Sequence, residues 1–545
     1  MPDLFILFVF YFLIVFSVFG YGKLISNVVK ENYDVGFQGL TGLSFLIILS
    51  YLTNFFVKHD YYHNSIIISF GFIVFLLYLL KYPKKVFQEV KILIIIFSII
   101  FFGLLMYKNH DDFFYYHFPY TLTIVEYKKI LGIGNLNHGF RTPSSIFYIN
   151  SIFYLPFVKY FLMNVAAALF MGFSNIFLIK KIKEYINEKN QYHLLFISLL
   201  SFVYINTQFA RISEHGTDRS ALILLFILVI LFLESFSFLN KKNLNQKIET
   251  SYRKILIILF LICSLKAFYL LYGLLFLLWI INIIKKNKNI NLIFNIILLN
   301  KITYFFLFGV LLVLLNVYLN TGCVVYPAYL TCFGDFEWSI PVDQVKQMKI
   351  WYEQWSKAGA GPNYSVENVS LYLSNFNWVK NWFDKYFFTK VSDALLVILL
   401  IIIIFYFTFR SKQKIITTNP DYIIIYIGIL ALSLEWFINH PALRYGGYSL
   451  IALIFFIPLS IYLSKFSYSF KQIKLKTSIL ILISLTFFLT KNLNRIYTEY
   501  DKYNYNVFAK PFYNLSKDAF RISTQLKKLD LDKNIKIFKY NIVKK

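Results

Sequence analysis

The chain has 545 residues, 58% of them hydrophobic and only 15% charged, with a mean hydropathy of +0.59. Soluble globular domains carry about 25% charged residues, so repeated apolar runs broken by short lysine-rich stretches exclude a soluble domain and point to an all-α, polytopic membrane protein. The net charge of +27 would suit nucleic acid, but its lysines sit in short loops between apolar runs instead of on one soluble face, so no nucleic-acid partner is expected.

The first residues, "MPDLFILFVFYFLIVF", lack a basic n-region and a small-residue cleavage site. They read as a retained first helix. In chain order the apolar runs predict spans at 4–20, 39–57, 65–80, 90–106, 159–179, 193–206, 220–239, 255–266, 268–284, 302–318, 393–409, 422–438, 447–463 and 476–490. That makes about 13–14 transmembrane helices. The runs at 193–206 and 255–266 are short against the ~20 residues a span needs. The region 255–284 is either one long tilted helix or two short ones meeting near Lys266.

Lysine-rich loops near Lys84, Lys181, Lys242, Lys286, Lys412 and Lys471 go to the cytoplasm by the positive-inside rule. The expected setting is therefore a bacterial inner membrane. The loops 107–158, 207–219, 319–392 and 439–446, with the corner at Lys266, then fall outside. The unusual polar residues sort to that outside set, which suggests one shared extracytoplasmic site. Within 319–392, residues 341–357 and 365–387 read as surface helices. They contain Trp338, Trp351, Trp355, Trp378 and Trp382 or lie close to them, as an interfacial aromatic belt or as platforms for sugar rings. The domain reading is an integral membrane domain over 1–490 and a small extracytoplasmic C-terminal segment over 491–545.

Asp111 and Asp112 are the foremost candidates for chemistry. They follow an apolar run and open the segment Phe113 to Val125, beside His110, Tyr115, Tyr116 and His117. Carboxylates at a membrane boundary with donors around them suit a base or a cation site. Lys266 lies in the otherwise apolar "LICSLKAFYLLYG", so its charge needs a partner or must snorkel. Arg444 sits in "HPALRYGG", a tight loop, and Arg141 precedes Pro143 and the cap candidates Ser144 and Ser145. His215 and Asp218 in "EHGTDR" lead into a helix and read equally as capping or as functional residues. Cys323 and Cys332, nine apart in an outside loop, predict a disulfide staple. Walker A, HExxH, GxSxG and zinc-ligand spacings are absent from the sequence.

An apolar helix followed by a loop that opens with acids, "NHDDFFYYH", and then by surface helices resembles the GT-C superfamily of membrane glycosyltransferases. The segments "HDDFFYYHFPY", "NHGFRTPSSIFYINSIF", "EHGTDR", "TGCVVYP" and "NHPALRYGG" resemble a family of uncharacterised bacterial multi-spanning proteins. The first resemblance implies a polyprenyl-phosphate-linked sugar as donor, and a glycan, lipid or protein as acceptor. It puts the catalytic acid on Asp111 or Asp112. The substrate-binding set it implies is His110, Tyr116, His117, Arg141, His215, Asp218, Lys266 and Arg444, with membrane lipid as the surrounding partner. A divalent cation held by His110 and the aspartates stays open. So do a polymerase or ligase of lipid-linked surface polysaccharide and a non-enzymatic lipid or glycan transporter. The chain departs from the superfamily in having three spans before the helix that leads into the loop.

Overall fold

The computed structural model describes residues 3–213, 216–237, 244–287, 290–361, 366–411, 422–528 and 541–543. His215, Lys242, Lys288 and Lys412 lie outside the described residues. Those described form an all-helical bundle whose strand content is one two-residue parallel pair, Ile130–Leu131 with Asn541–Ile542.

Helix starts follow from local chemistry. Asp3, Asp34 and Asp60 each turn a carboxylate back onto the first free N–H groups of the helices Leu4–Val28, Val35–Asn54 and Tyr61–Lys81. These three helices pack so closely that glycine is required between them. A Cβ on Gly20 would meet the Gly71 carbonyl at 2.0 Å, and one on Gly42 would meet the Val18 carbonyl at 2.0 Å. Small residues at helix crossings are how spans associate when lipid supplies no hydrophobic drive.

Among the described residues, nine helices are long and apolar enough to cross a membrane. They are Leu4–Val28, Val35–Asn54, Tyr61–Lys81, Thr217–Ser237, Ala267–Lys286, Lys301–Thr321, Trp378–Phe409, Gly447–Ser464 and Phe470–Tyr503. The sequence expectation of 13–14 is larger. The difference lies in helices that form but are shorter or carry charge. Pro83–Phe101 begins with Lys84, Lys85, Glu89 and Lys91. Ala166–Tyr185 ends with Lys180, Lys181, Lys183 and Glu184. Leu244–Leu265 holds Lys247, Glu249, Arg253 and Lys254 in its first half. Tyr192–Gln208 and Ile423–Asn439 have 17 residues each.

Thr217–Ser237 is the buried centre, packed by Ala166–Tyr185, Tyr192–Gln208, Leu244–Leu265 and Gly447–Ser464. One end carries Asp218. Near the other, Glu234 accepts from Lys181 Nζ at 2.5 Å and from the Tyr185 hydroxyl at 2.6 Å. A buried charge without such a partner is strongly destabilising.

Lys266 separates two helices and does not lie within one. Leu244–Leu265 stops, Lys266 is extended (φ −163°, ψ 140°), and the chain restarts through Ala267–Tyr272 into Gly273–Asn287. The expected helix at 341–357 forms as Val342–Lys357. The expected 365–387 helix is instead divided: Val369–Leu373 ends at Asn375 and Phe376, both at positive φ, and Trp378 starts the segment that runs on to Phe409.

The expected break at 490 falls inside the helix Phe470–Tyr503. The chain beyond it folds back onto the 107–161 region. The Tyr513 hydroxyl donates to the Tyr160 carbonyl at 2.6 Å, Asn514 N–H to the Tyr107 carbonyl at 3.0 Å, and Phe512 stacks on Phe161 at 3.7 Å. Residues 504–528 are therefore part of the same packed body.

Candidate functional site

Several connecting segments meet at the Asp218 end of the central helix. Pro83–Phe101 delivers the chain to Asp111 and Asp112, and a wide helical turn, Phe113–His117, carries it into Phe118–Glu126. The Lys266 corner comes from Leu244–Leu265, and Arg444 comes from the loop between Ile423–Asn439 and Gly447–Ser464. Together with Val342–Lys357 and the 325–328 loop they enclose a cavity of about 530 Å³, a size that suits a small-molecule or sugar-sized ligand.

His110, Asp111, Asp112, Tyr116, Lys266 and Arg444 all line this one cavity, although they span more than three hundred residues of chain. Arg444 Nη1 lies 3.4 Å from Asp112 Oδ2, with about a third of each side chain exposed. The Arg444 guanidinium also lies over the Trp355 ring, 4.7 Å from its centroid, and near Tyr445 at 5.2 Å. Lys266 Nζ stands 4.8 Å over the other part of this aromatic cluster, the Tyr445 ring, and is paired with Asp218 at 3.0 Å. Both cations are thus held against aromatic faces, where a cation is attracted by ring charge without being fully neutralised. Asp111 is exposed to the cavity and has no hydrogen bond or ion pair among the described residues.

The Asp112 N–H donates to His110 Nδ1 at 3.1 Å. That uses the nitrogen's lone pair, so the neutral ring carries its proton on Nε2. Burial pulls His440 down to about 4, and burial with the nearby Arg141 lowers His138. Both are neutral hydrogen-bonding groups near neutral pH.

The Arg444 loop is held from all sides. The Tyr269 hydroxyl donates to the Arg444 carbonyl at 3.0 Å, Trp382 Nε1 to the Pro441 carbonyl at 3.0 Å and Trp436 Nε1 to the Ala442 carbonyl at 2.9 Å. The Leu443 N–H donates to the Tyr386 hydroxyl at 2.8 Å. Gly446 closes the turn at φ +124°, a conformation that side chains rarely adopt. Preorganisation of this kind keeps a cationic group aimed where charge develops.

Other expected site residues sit elsewhere. Asp218 does not line the cavity; it supports Lys266 from behind, and its carboxylate lies 3.3 Å from the Tyr269 hydroxyl. Arg141 also stands outside it. Its Nε donates to the Gly134 carbonyl at 3.1 Å and its Nη1 to the Tyr326 hydroxyl at 3.4 Å, at the mouth of a small adjoining apolar slot. His117 lies in a separate small pocket with Asn150, Asn164 and Ser213, while its neighbour Tyr116 lines the cavity. Burial lowers His117 to about 3. Cys323 and Cys332 are joined in a disulfide that closes the loop whose residues Val325, Tyr326, Pro327 and Ala328 form part of the cavity wall. Among the described residues, no group of three or more His, Cys, Asp or Glu side chains is placed to hold a metal ion. Asp112 is already engaged with Arg444, and His110 with a backbone N–H.

Sequence reasoning named Trp351 and Trp355, as belt residues or as sugar platforms, but missed Tyr326, Tyr352 and Tyr445. Trp351, Trp355, Tyr352, Tyr326 and Tyr445 line the cavity. The five tryptophans do not form a belt: Trp338, Trp378 and Trp382 are buried, and only Trp351 and Trp355 face the site. The i, i+4 spacing of Trp351 and Trp355 on an otherwise polar helix was the available signal.

Fold and site together define a multi-pass helical membrane protein with a mixed acid, base and aromatic cavity at one end of its bundle. Residues 4–451 match a family described as a domain of unknown function (DUF8201), and the chain belongs to that family. No curated protein and no solved structure matches it.

Proposed function

We propose that the protein is a membrane glycosyltransferase that moves a sugar from a polyprenyl-phosphate donor to a cell-envelope acceptor on the extracytoplasmic face. The observation that carries this reading is the gathering of Asp111, a carboxylate without a partner among the described residues, and two aromatic-backed cations, Lys266 and Arg444, in one cavity at the bundle end. The facing of the cavity is supported by charge. Lys181, Lys285, Arg410 and Lys465 lie at the far ends of helices whose other ends approach the cavity. By the positive-inside rule those far ends are cytoplasmic.

In this reaction the Asp111 carboxylate takes the proton of an acceptor hydroxyl as that oxygen attacks the anomeric carbon. The bond from the anomeric carbon to the phosphate oxygen breaks, and its electron pair leaves with the polyprenyl phosphate. Arg444 and Lys266 balance the charge of the departing phosphate. Asp112 positions Arg444. The gathering of the cavity's charged groups at the Asp218 end suits surface chemistry better than the midplane sites of secondary transporters.

The test is a deletion strain. A lipid-linked sugar or its unmodified acceptor should accumulate, and wild-type protein should clear it while the Asp111→Asn variant at equal membrane level does not. Clearance by both proteins would refute the role of the carboxylate.

A further inference from the structure

The cavity has two unlike walls. One carries Asp112, Arg444, Trp355, Tyr445 and Lys266, where every charge has a counter-charge or a ring beneath it. The other runs from Asp111, without a partner among the described residues, to Tyr115, His138 and Trp351, and Lys349 of the Val342–Lys357 helix also lines the cavity. Its members touch in sequence. The Tyr115 hydroxyl and His138 Nδ1 are 3.2 Å apart, and the His138 ring meets the Trp351 ring edge-on at 6.2 Å.

Trp351 and Trp355 project from the same face of Val342–Lys357, with rings 6.2 Å apart and only 21° from parallel. Trp355 is fixed by donation from Nε1 to the Gly361 carbonyl at 3.1 Å, and one of its faces is taken by Arg444. Trp351 has no such cover and remains 38% exposed in the cavity, beside Tyr115 at 44%. A flat, open indole beside a phenol and a neutral imidazole is the chemistry that recognises a pyranose. The apolar C–H face of the ring lies on the indole, and the hydroxyls at its rim meet Tyr115 and His138. A lipid tail would take water from Tyr115 and His138 and leave them only the bond they share, and an anionic ligand on this wall would meet the Asp111 carboxylate.

We infer that the Trp351 wall is an acceptor subsite for a carbohydrate, so that the acceptor is a glycan whose attacking hydroxyl is presented to Asp111. This rests on the glycosyltransferase reading above and narrows it, leaving the donor phosphate to the opposite wall.

The test is binding of neutral oligosaccharides to the purified full-length protein in nanodiscs, followed by saturation-transfer NMR without any donor. Cellotetraose, chitotetraose and mannotetraose serve as probes, because stacking on an indole tolerates different pyranoses. At least one should bind the wild type. Trp351→Ala should weaken it about tenfold, and Trp351→Tyr should restore most of the loss. Absence of binding by all three probes, or unchanged binding by Trp351→Ala, would overturn the subsite. Failure of the transferase reading is seen separately: oligosaccharide binds through Trp351, yet Asp111→Asn still clears the accumulated substrate in cells.

Discussion

Asp112 and Arg444 lie 332 residues apart in the chain, and their side chains meet at 3.4 Å on one wall of the cavity. The pair separates the two adjacent aspartates into different roles. Asp112 is committed to an arginine, while Asp111 faces the cavity alone among the described residues.

The first prediction follows from that asymmetry. Asp111→Asn should lower sugar transfer about 10²–10⁴-fold, the usual worth of a general base, at unchanged protein level. Asp112→Asn should act by loosening Arg444, with a smaller loss that appears mainly in donor KM. Steady-state transfer in membranes with matched expression distinguishes them. A larger loss from Asp112→Asn would reverse the assignment.

Arg444→Met keeps an apolar stem near Trp355 and removes the charge. Loss of a positioned electrostatic group is worth about 10²–10³ in kcat. Arg444→Lys should recover only part of that, because an ammonium neither stacks as a plane on Trp355 nor offers separate nitrogens to Asp112 and to the Tyr445 hydroxyl. Equal activity of the lysine variant and wild type would show that point charge alone suffices.

The disulfide closes a short loop that forms part of the cavity wall. For a sequence separation of nine, cross-linking is worth about 2–3 kcal/mol by chain entropy. The Cys323→Ser/Cys332→Ser double variant should melt earlier and bind substrate more weakly. Non-reducing peptide mapping of freshly isolated membranes should recover the two cysteines linked, and recovery of two alkylated thiols would count against the bridge.

His117 supplies a pH dependence of stability. Burial moves it from its ordinary 6.5 down to about 3, so the unfolded chain binds a proton that the folded chain refuses. Stability therefore falls as pH drops below about 6.5 and stops falling from this source only near 3. His117→Asn should flatten part of that acid limb in a thermal melt series. Parallel curves for the two proteins would assign the acid sensitivity to other groups.

Loops bearing Asp111, Cys323 and Arg444 should share one side of the membrane, since all three meet the same cavity or its wall. Single cysteines introduced beside them, in a background without the native thiols, should react with an impermeant reagent in intact cells. Labelling of any one only after lysis would separate the segments that the proposed reaction requires together.

The linear chain by itself determined the helical membrane character. Apolar runs long enough to span, with lysines in the breaks, leave the backbone no other way to satisfy its hydrogen bonds in lipid. It also marked Asp111, Asp112, Lys266 and Arg444, because charge is conspicuous against a composition this apolar. It could not tell a crossing helix from a buried one of similar hydropathy: Tyr192–Gln208 is almost wholly enclosed by protein, and periodicity carries no information on what surrounds a helix that is apolar all round. Nor could it tell which polar residues converge. Tyr116 reaches the cavity while its neighbour His117 enters a separate pocket. The Lys266–Asp218 pair, the Arg444–Trp355 stack and the outward position of Arg141 are decided by contacts between segments far apart in the chain. Such contacts exist only once the bundle has brought helix ends together, so tertiary packing alone separated the residues that line the cavity from those that support it.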